Sequence, residues 1–241
     1  MEKAKDNTIN LIVADPPYFE IINEDWDNQW KTEDDYVEWS MGYIKECERI
    51  LVDNGSMYMW GGVGNNDNYA LLKLLLRIKE ETGLIRMNWI TWKKQRGRGK
   101  TNWPFSREEL IFFTKSKKNY TWNVPYSTEL NLPHLRAGKI DYSNGKRTVR
   151  TSDYKKANNV WTDISQVCSY RKQMHPTEKP ILACDRIIQA SSNAGDLVYI
   201  PFAGSGAEIE SCIKNERNWL ATETRKEYIE EIIKPRIASL C

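Results

Sequence analysis

Short apolar runs alternate with amphipathic stretches along most of the chain. Residues 10–14 (NLIVA) form an apolar run that stops at Asp15-Pro16-Pro17. Prolines cannot continue a ladder, so the run reads as a buried strand. From 34 to 51 the apolar positions Tyr36, Val37, Met41, Ile44, Cys47, Ile50 and Leu51 recur at spacings of three and four, the pattern of an amphipathic helix. Asp53-Asn54-Gly55 turns the chain into a second apolar strand at 56–60. A glycine loop at 61–64, a helix over 69–81 closed by Gly83, and a third strand at 88–92 follow. Beyond Trp92 the character changes. Residues 93–107 are basic and contain glycine, and a mobile loop is expected there. Residues 109–114 (ELIFFT) read as a strand, and 115–173 are irregular, compatible with a small inserted module or with long loops. Regular alternation then resumes: helix 180–190, strand 197–200, helix 207–215, strand 218–222 and helix 226–238. Strand and helix alternating at both ends predict an α/β fold, a doubly wound and mostly parallel sheet. The basic insert would sit at the carboxyl edge of its strands, where such sheets bind ligands.

Composition narrows the class. The 241 residues are 40% hydrophobic and 28% charged, ordinary for a globular chain and unlike collagen, coiled-coil or disordered sequences. No apolar run approaches about 18 residues, so no membrane span is expected. The opening residues 1–6 lack an apolar segment, so no secretory signal is expected either. Cys47, Cys168, Cys184, Cys212 and Cys241 are odd in number and form no CxxC pair. A disulfide framework and a metal site are not expected, and a reducing cytoplasm fits. The net charge of +2 conceals an uneven distribution. Residues 86–172 hold 19 Lys+Arg against 6 Asp+Glu, while 1–85 hold 8 against 17 and 173–241 hold 8 against 10. A basic middle third between acidic flanks suits a polyanion, and a solvated lysine-rich face is the plainer alternative.

Three segments carry candidate chemistry. At Asp15-Pro16-Pro17-Tyr18 an acid ends a strand, two prolines fix φ near −65° and donate no hydrogen bond, and an aromatic ring follows. The result is an acceptor-only surface that suits N–H donors such as an exocyclic amine, with Tyr18 available to stack on a flat ring. A strand-ending turn would have the same look. Phe202-Ala203-Gly204-Ser205-Gly206 lies between strand and helix, where glycines permit close backbone approach to a ligand. Glu223 ends the next strand, 17 residues after Gly206, the place from which an acid binds a ribose diol. Gly61-Gly62-Val63-Gly64 is read as structural. His175-Pro176-Thr177-Glu178-Lys179-Pro180 precedes a helix that Thr177 would cap.

Together these segments resemble the DNA amino-methyltransferases, which methylate exocyclic amines with S-adenosylmethionine. DPPY at 15–18 matches the family's catalytic motif, FAGSG at 202–206 its cofactor motif, and HPTEKP at 175–180 the block before it. Their order is similar to that of the permuted beta group of bacterial and phage enzymes. Trp26-Asp27, Arg49-Ile50-Leu51 with Gly55, Trp92-Lys93, 107–109 through Thr114-Lys115, Asn159-Val160-Trp161 and Glu223 with Tyr228 are smaller matches. Two departures stand out. An acid usually precedes the Pro-Phe of the cofactor motif and here the residue is Ile200, so weaker cofactor binding is expected. A strand and glycine-acid turn usually lie ahead of the catalytic strand and are not seen before Ile9, so the adenine-side pocket is expected to be built differently.

The resemblance implies a Rossmann-like methyltransferase fold, with a catalytic part at 1–114, a target-recognition region at 115–172 and a cofactor-binding part at 173–241. It implies that a base is flipped out of double-stranded DNA, its amine held by Asp15 and the Pro16 carbonyl, with Pro17 and Tyr18 completing the site. It implies S-adenosylmethionine held by His175, Thr177, Lys179, Phe202, Ala203, Gly204, Ser205, Gly206 and Glu223. Lys93, Lys94, Arg96, Arg98, Lys100, Arg107, Lys146, Arg147 and Arg150 are the candidate DNA contacts. DPPY correlates with adenine N6 as the target. Alternatives are a cytosine amino-methyltransferase and a catalytically silent subunit that only binds nucleic acid; a homodimer or a partner subunit stays open. A bacterial cytoplasm or phage-infected host is the expected setting.

Overall fold

The computed structural model describes residues 4–21, 29–63, 67–98, 103–131, 140–143, 146–149, 152–167, 175 and 177–240, and for 98, 140–143 and 146–149 the backbone alone. Trp26-Asp27, Gly64, Lys100, Arg150, Cys168, Pro176 and Cys241 lie outside these residues. The elements run β1 (Ile9–Ala14), α1 (Glu33–Ile50), β2 (Leu51–Gly61), α2 (Ala70–Glu81), β3 (Ile85–Arg98), β4 (Phe105–Thr114), β5 (Tyr126–Leu130), β6 (Ile140–Ser143), β7 (Lys146–Val149), β8 (Tyr154–Lys156) and β9 (Val160–Trp161). They continue with α3 (Ile181–Ser191), β10 (Leu197–Ile200), α4 (Ala207–Lys214), β11 (Asn218–Ala221), α5 (Lys226–Tyr228), a π-helical turn (Ile229–Ile233) and α6 (Lys234–Ala238).

Seven strands form one sheet in the order β11-β10-β1-β2-β4-β3-β9. Pairing is parallel throughout except on both sides of β4. The doubly wound α/β expectation is met. Thr32 starts α1 with a capping box, its hydroxyl accepting from the Asp35 amide at 3.1 Å while the Asp35 carboxylate accepts from the Thr32 amide at 3.1 Å. Leu51 then turns extended and opens β2 directly. The largest difference from the sequence reading lies at 93–107. Lys93–Arg98 prolong β3, and Lys93 pairs with Arg107 and Arg98 with Phe105 across the hairpin. Backbone pairing forms this extension, and beyond the helices it has no face to bury, so no alternating pattern marks it.

The strands alternate between two cores. Leu11, Val13, Val198 and Ile200 face Ala183 and Ile187 of α3 and Ile209 and Cys212 of α4. Ile12, Ala14, Met57 and Met59 face Val37, Met41 and Ile44 of α1 and Leu71 and Leu74 of α2. With both faces covered, β1 and β10 read as continuous apolar runs. The strands of 115–172 sit at one side, where β9 joins β3 and the buried Arg186–Asp163 ion pair (2.6 Å) ties this region to α3. Ile200 is fully buried in the α3–α4 core, not at a pocket wall. Ile200→Asp would bury an unpaired carboxylate and is expected to cost about 3 kcal/mol or more in stability. Denaturant unfolding measures this; an unchanged midpoint together with tighter cofactor binding would overturn it.

Candidate active site

β1 leads through α1 to β2 on one side, and β10 leads through α4 to β11 on the other. β1 and β10 are parallel neighbours. Their following loops therefore diverge and leave a crevice at the carboxyl edge, the switch point of an open sheet. DPPY follows β1 and FAGSG follows β10, so the two motifs flank that crevice. The FAGSG turn is tight. Gly204 (φ +46°) and Gly206 (φ +74°) are left-handed, a conformation that strains other residues. The Glu223 carboxylate accepts from the Gly204 amide at 2.9 Å and from the amides of Thr224 and Arg225 at 2.8 and 2.9 Å. Arg236 closes the turn from below, donating to the Ser205 carbonyl at 2.8 Å and pairing with Glu178. The His175 ring lies against Gly204 and edge-on to Tyr228 at 4.8 Å. Burial holds His175 below the usual imidazole range. Phe202 leans on Tyr43 at 5.1 Å and on Trp39 at 6.0 Å.

Asp15 is held by a lysine. Lys179 Nζ donates to Oδ1 at 2.8 Å and to Oδ2 at 2.7 Å, and the Tyr18 hydroxyl donates to Oδ1 at 2.9 Å. Lys179 is only 3% exposed and lies over the Trp60 ring at 5.1 Å. On its far side Glu108 Oε2 stands 3.4 Å away, and Glu108 also pairs with Lys94. Two cations and two carboxylates thus alternate in a chain from the crevice to the β3–β4 hairpin. Burial alone would lower Lys179, but Asp15 and Glu108 outweigh it and push it above the usual range. Burial would raise Glu108, and Lys179 and Lys94 together hold it below its usual range. Gly62 makes room for the Tyr18 ring, since a Cβ there would lie 2.9 Å from it.

The structure gathers Asp15, Pro16, Pro17 and Tyr18, and Phe202, Ala203, Gly204, Ser205, Gly206 and Glu223, around one crevice. Lys179, an expected cofactor contact, bonds both oxygens of Asp15. Thr177 was expected to cap α3; its hydroxyl lies 3.2 Å from His175 Nδ1, and Pro180 occupies the cap without a side-chain bond. Among the expected DNA contacts, Lys93 and Arg96 are exposed on the hairpin, Arg107 pairs with Glu109 at 3.0 Å, and Lys94 turns inward to Glu108. Arg98 continues β3, and Lys146 and Arg147 lie in β7. Glu108 and Arg236 were not singled out by sequence. Glu108 sits within the match that begins at Arg107-Glu108-Glu109, yet nothing local shows that it meets a residue 71 positions later.

Glu208, in the first turn of α4, is 4% exposed. Burial, with the Asp15 charge adding to it, pushes its carboxyl up to about 7 from 4.5. A folded-state value above the unfolded one gives stability that is complete below the unfolded value and is lost as pH rises through the folded one. Glu208→Gln should therefore gain about 2–3 kcal/mol relative to the unmodified chain between about pH 4 and pH 8. Thermal unfolding of both proteins across that range checks it, and parallel stability curves would refute it.

A family profile described as DNA methylase, of the N6/N4 methyltransferase type, matches residues 9–234. The chain is 32% identical over 236 residues to the DNA adenine methyltransferase YhdJ of Escherichia coli (strain K12), spanning 95% of this chain and 76% of that one. The solved PvuII DNA methyltransferase, titled cytosine-N4-specific, is similar in fold, with a TM-score of 0.70 at 15% identity over 99% of this chain and 86% of that one. The M1.HpyAVI–SAM complex is similar with a TM-score of 0.59 at 22% identity, over 95% and 89%.

Proposed function

Because the chain belongs to the N6/N4 DNA methylase family and is an S-adenosylmethionine-dependent DNA methyltransferase, we propose that it methylates the N6 amine of adenine in double-stranded DNA. The observation that carries this reading is the place of Asp15, directly after β1 and at the switch-point crevice that the FAGSG turn after β10 borders on its other side. DPPY, and the adenine activity named for YhdJ, favour adenine over cytosine. The motif order is that of the permuted beta group: β1, with its DPPY turn, comes first in the chain and β10, with its FAGSG turn, comes late. No helix among the described residues is long and apolar enough to cross a membrane.

The residues present fit the methyl donor. Glu223 Oε2 accepts from the Gly204 amide and keeps capacity for a hydroxyl hydrogen. The left-handed glycines bring bare backbone to the crevice, with Phe202 beside them. When bound, the donor supplies a sulfonium methyl that is already activated. The chain's work is then orientation and electrostatics. Extruding the base costs a few kcal/mol of stacking and pairing. Tyr18 stacks on the flipped base. The Asp15 carboxylate and the Pro16 carbonyl each accept one amine hydrogen, drawing the nitrogen lone pair out of the ring. Asp15 would take the surplus proton as the amine nitrogen is methylated. The three-part division places target recognition in 115–172, aided by the hairpin bases Lys93, Arg96 and Arg98.

Asp15→Ala should lower transfer of tritiated methyl to genomic DNA from a methylase-free host by about a hundredfold or more, as for loss of a group aimed at transition-state charge. DNA affinity should stay within severalfold, because phosphates supply most of it. Near-normal transfer would sink the assignment. Nucleoside digestion and mass spectrometry should find N6-methyladenine; N4-methylcytosine would overturn the choice of base. Replacing Lys93, Arg96 and Arg98 by glutamine together should flatten the plot of log affinity against log salt by about two to three units. An unchanged slope would remove the hairpin from the DNA surface.

A further inference from the structure

Lys179 poses a problem for the chemistry of Asp15. Methyl transfer moves positive charge onto the amine nitrogen, and Asp15 must act as a strong acceptor at that moment. Yet a protonated lysine bonds both of its oxygens, at 2.8 and 2.7 Å. An ammonium there weakens the carboxylate as an acceptor and repels the developing charge. In a buried site that repulsion is poorly screened. Lys179 cannot simply shed its proton, because the carboxylates around it hold it in the charged form.

The other side of Lys179 offers a way out. Glu108 Oε2 is buried, accepts no hydrogen bond, and stands 3.4 Å from the ammonium. Lys94 engages the other oxygen, Oε1, so Oε2 is the position left for Lys179. A buried carboxylate oxygen that accepts no hydrogen bond and has only a long 3.4 Å ion pair is poorly satisfied, and a shift of the ammonium into hydrogen-bond range of it would relieve that cost while releasing Asp15. The lysine side chain has the rotatable stem this needs. The net charge of the cluster does not change; after the shift the Asp15 carboxylate keeps the Tyr18 hydroxyl and gains the amine hydrogens of the base in place of the ammonium.

We propose that Lys179 is handed from Asp15 to Glu108 as the target base enters, and that Glu108 is a positioning residue for methyl transfer acting through Lys179. The handover rests on the reading of Asp15 as the amine acceptor. In the resting enzyme Lys179 keeps Asp15 neutralised and oriented; with the base in place, the amine replaces the ammonium on Asp15 and Glu108 Oε2 takes the ammonium over.

The test uses the full chain, tritiated S-adenosylmethionine and genomic DNA from a methylase-free host. Glu108→Gln keeps the shape and removes the charge that draws Lys179 away. It should lower kcat about ten- to a hundredfold, the worth of one charged hydrogen bond. Affinity for donor and DNA should stay within about threefold, because neither is bound through Glu108. Glu108→Asp, which retains the charge, should recover most of the rate. The double variant Glu108→Gln/Lys179→Met frees Asp15 by deletion and should be faster than Glu108→Gln alone, by about fivefold or more. A merely structural role predicts the opposite order, with the double variant the slower. The handover is overturned if Glu108→Gln turns over at the normal rate, or if the double variant is no faster than the single one. It is also overturned if donor affinity falls in step with kcat in Glu108→Gln. An unmodified chain that transfers no methyl group overturns the proposed function itself.

Discussion

Lys179 carries its charge at 3% exposure, and an ammonium so far from water is tolerable only with carboxylates placed against it. Asp15 comes from the end of β1 and Glu108 from the beginning of β4. Lys179 itself precedes α3. One charge therefore constrains three segments that are distant in the chain. It also gives the antiparallel strand a purpose. Because β4 alone runs against the rest of the sheet, its first residues, not its last, reach the carboxyl edge where the crevice opens. A parallel strand would bring its end there and leave Glu108 on the wrong side.

The FAGSG turn depends on a different kind of support. Its glycines take left-handed φ values, and freedom of that sort costs order unless neighbours hold the conformation. Glu223 secures it through the Gly204 amide, and Arg236 through the Ser205 carbonyl. Arg236 is reached only after the C-terminal helix has passed through a π-helical turn at Ile229–Ile233. The Lys234 amide bonds there to the Ile229 carbonyl, and Pro235 has no amide to continue the ladder. The same arginine pairs with Glu178, so the FAGSG turn and the segment carrying His175 and Lys179 are held by one side chain. The turn after β10 and the segment that carries Lys179 are thus joined by a side chain as well as by topology.

Much of this was legible without coordinates. Apolar runs stopped by prolines marked β1 and β10, and spacings of three and four marked α1, because burial on one or both faces leaves a period in the chain. The two motifs and their order identified the crevice before the sheet was known, since turn chemistry is local. Where burial is missing, the period is missing too: the hairpin extension at 93–98 and 105–107 is held by backbone pairing and by polar contacts of Lys94, Gln95 and Arg96 with residues elsewhere, and looked like a loop. The departure at Ile200 was visible as a missing acid, but its direction was not, because only the sheet decides which face a strand residue presents.

The identity of the partners was beyond reach from sequence for the same reason. Asp15, Lys179 and Glu108 each stood in a recognisable segment, and nothing within those segments says that an ammonium will lie between the two carboxylates. Lys94 reads as one more base in a basic run and turns inward only because Glu108 faces it across the hairpin. Local patterns are set by neighbours within a few residues, and so the chain alone determined the buried elements, the fold class and the motifs. Charge pairing depends on distances of a few ångströms between residues far apart in the chain, and those distances exist only once the sheet has assembled.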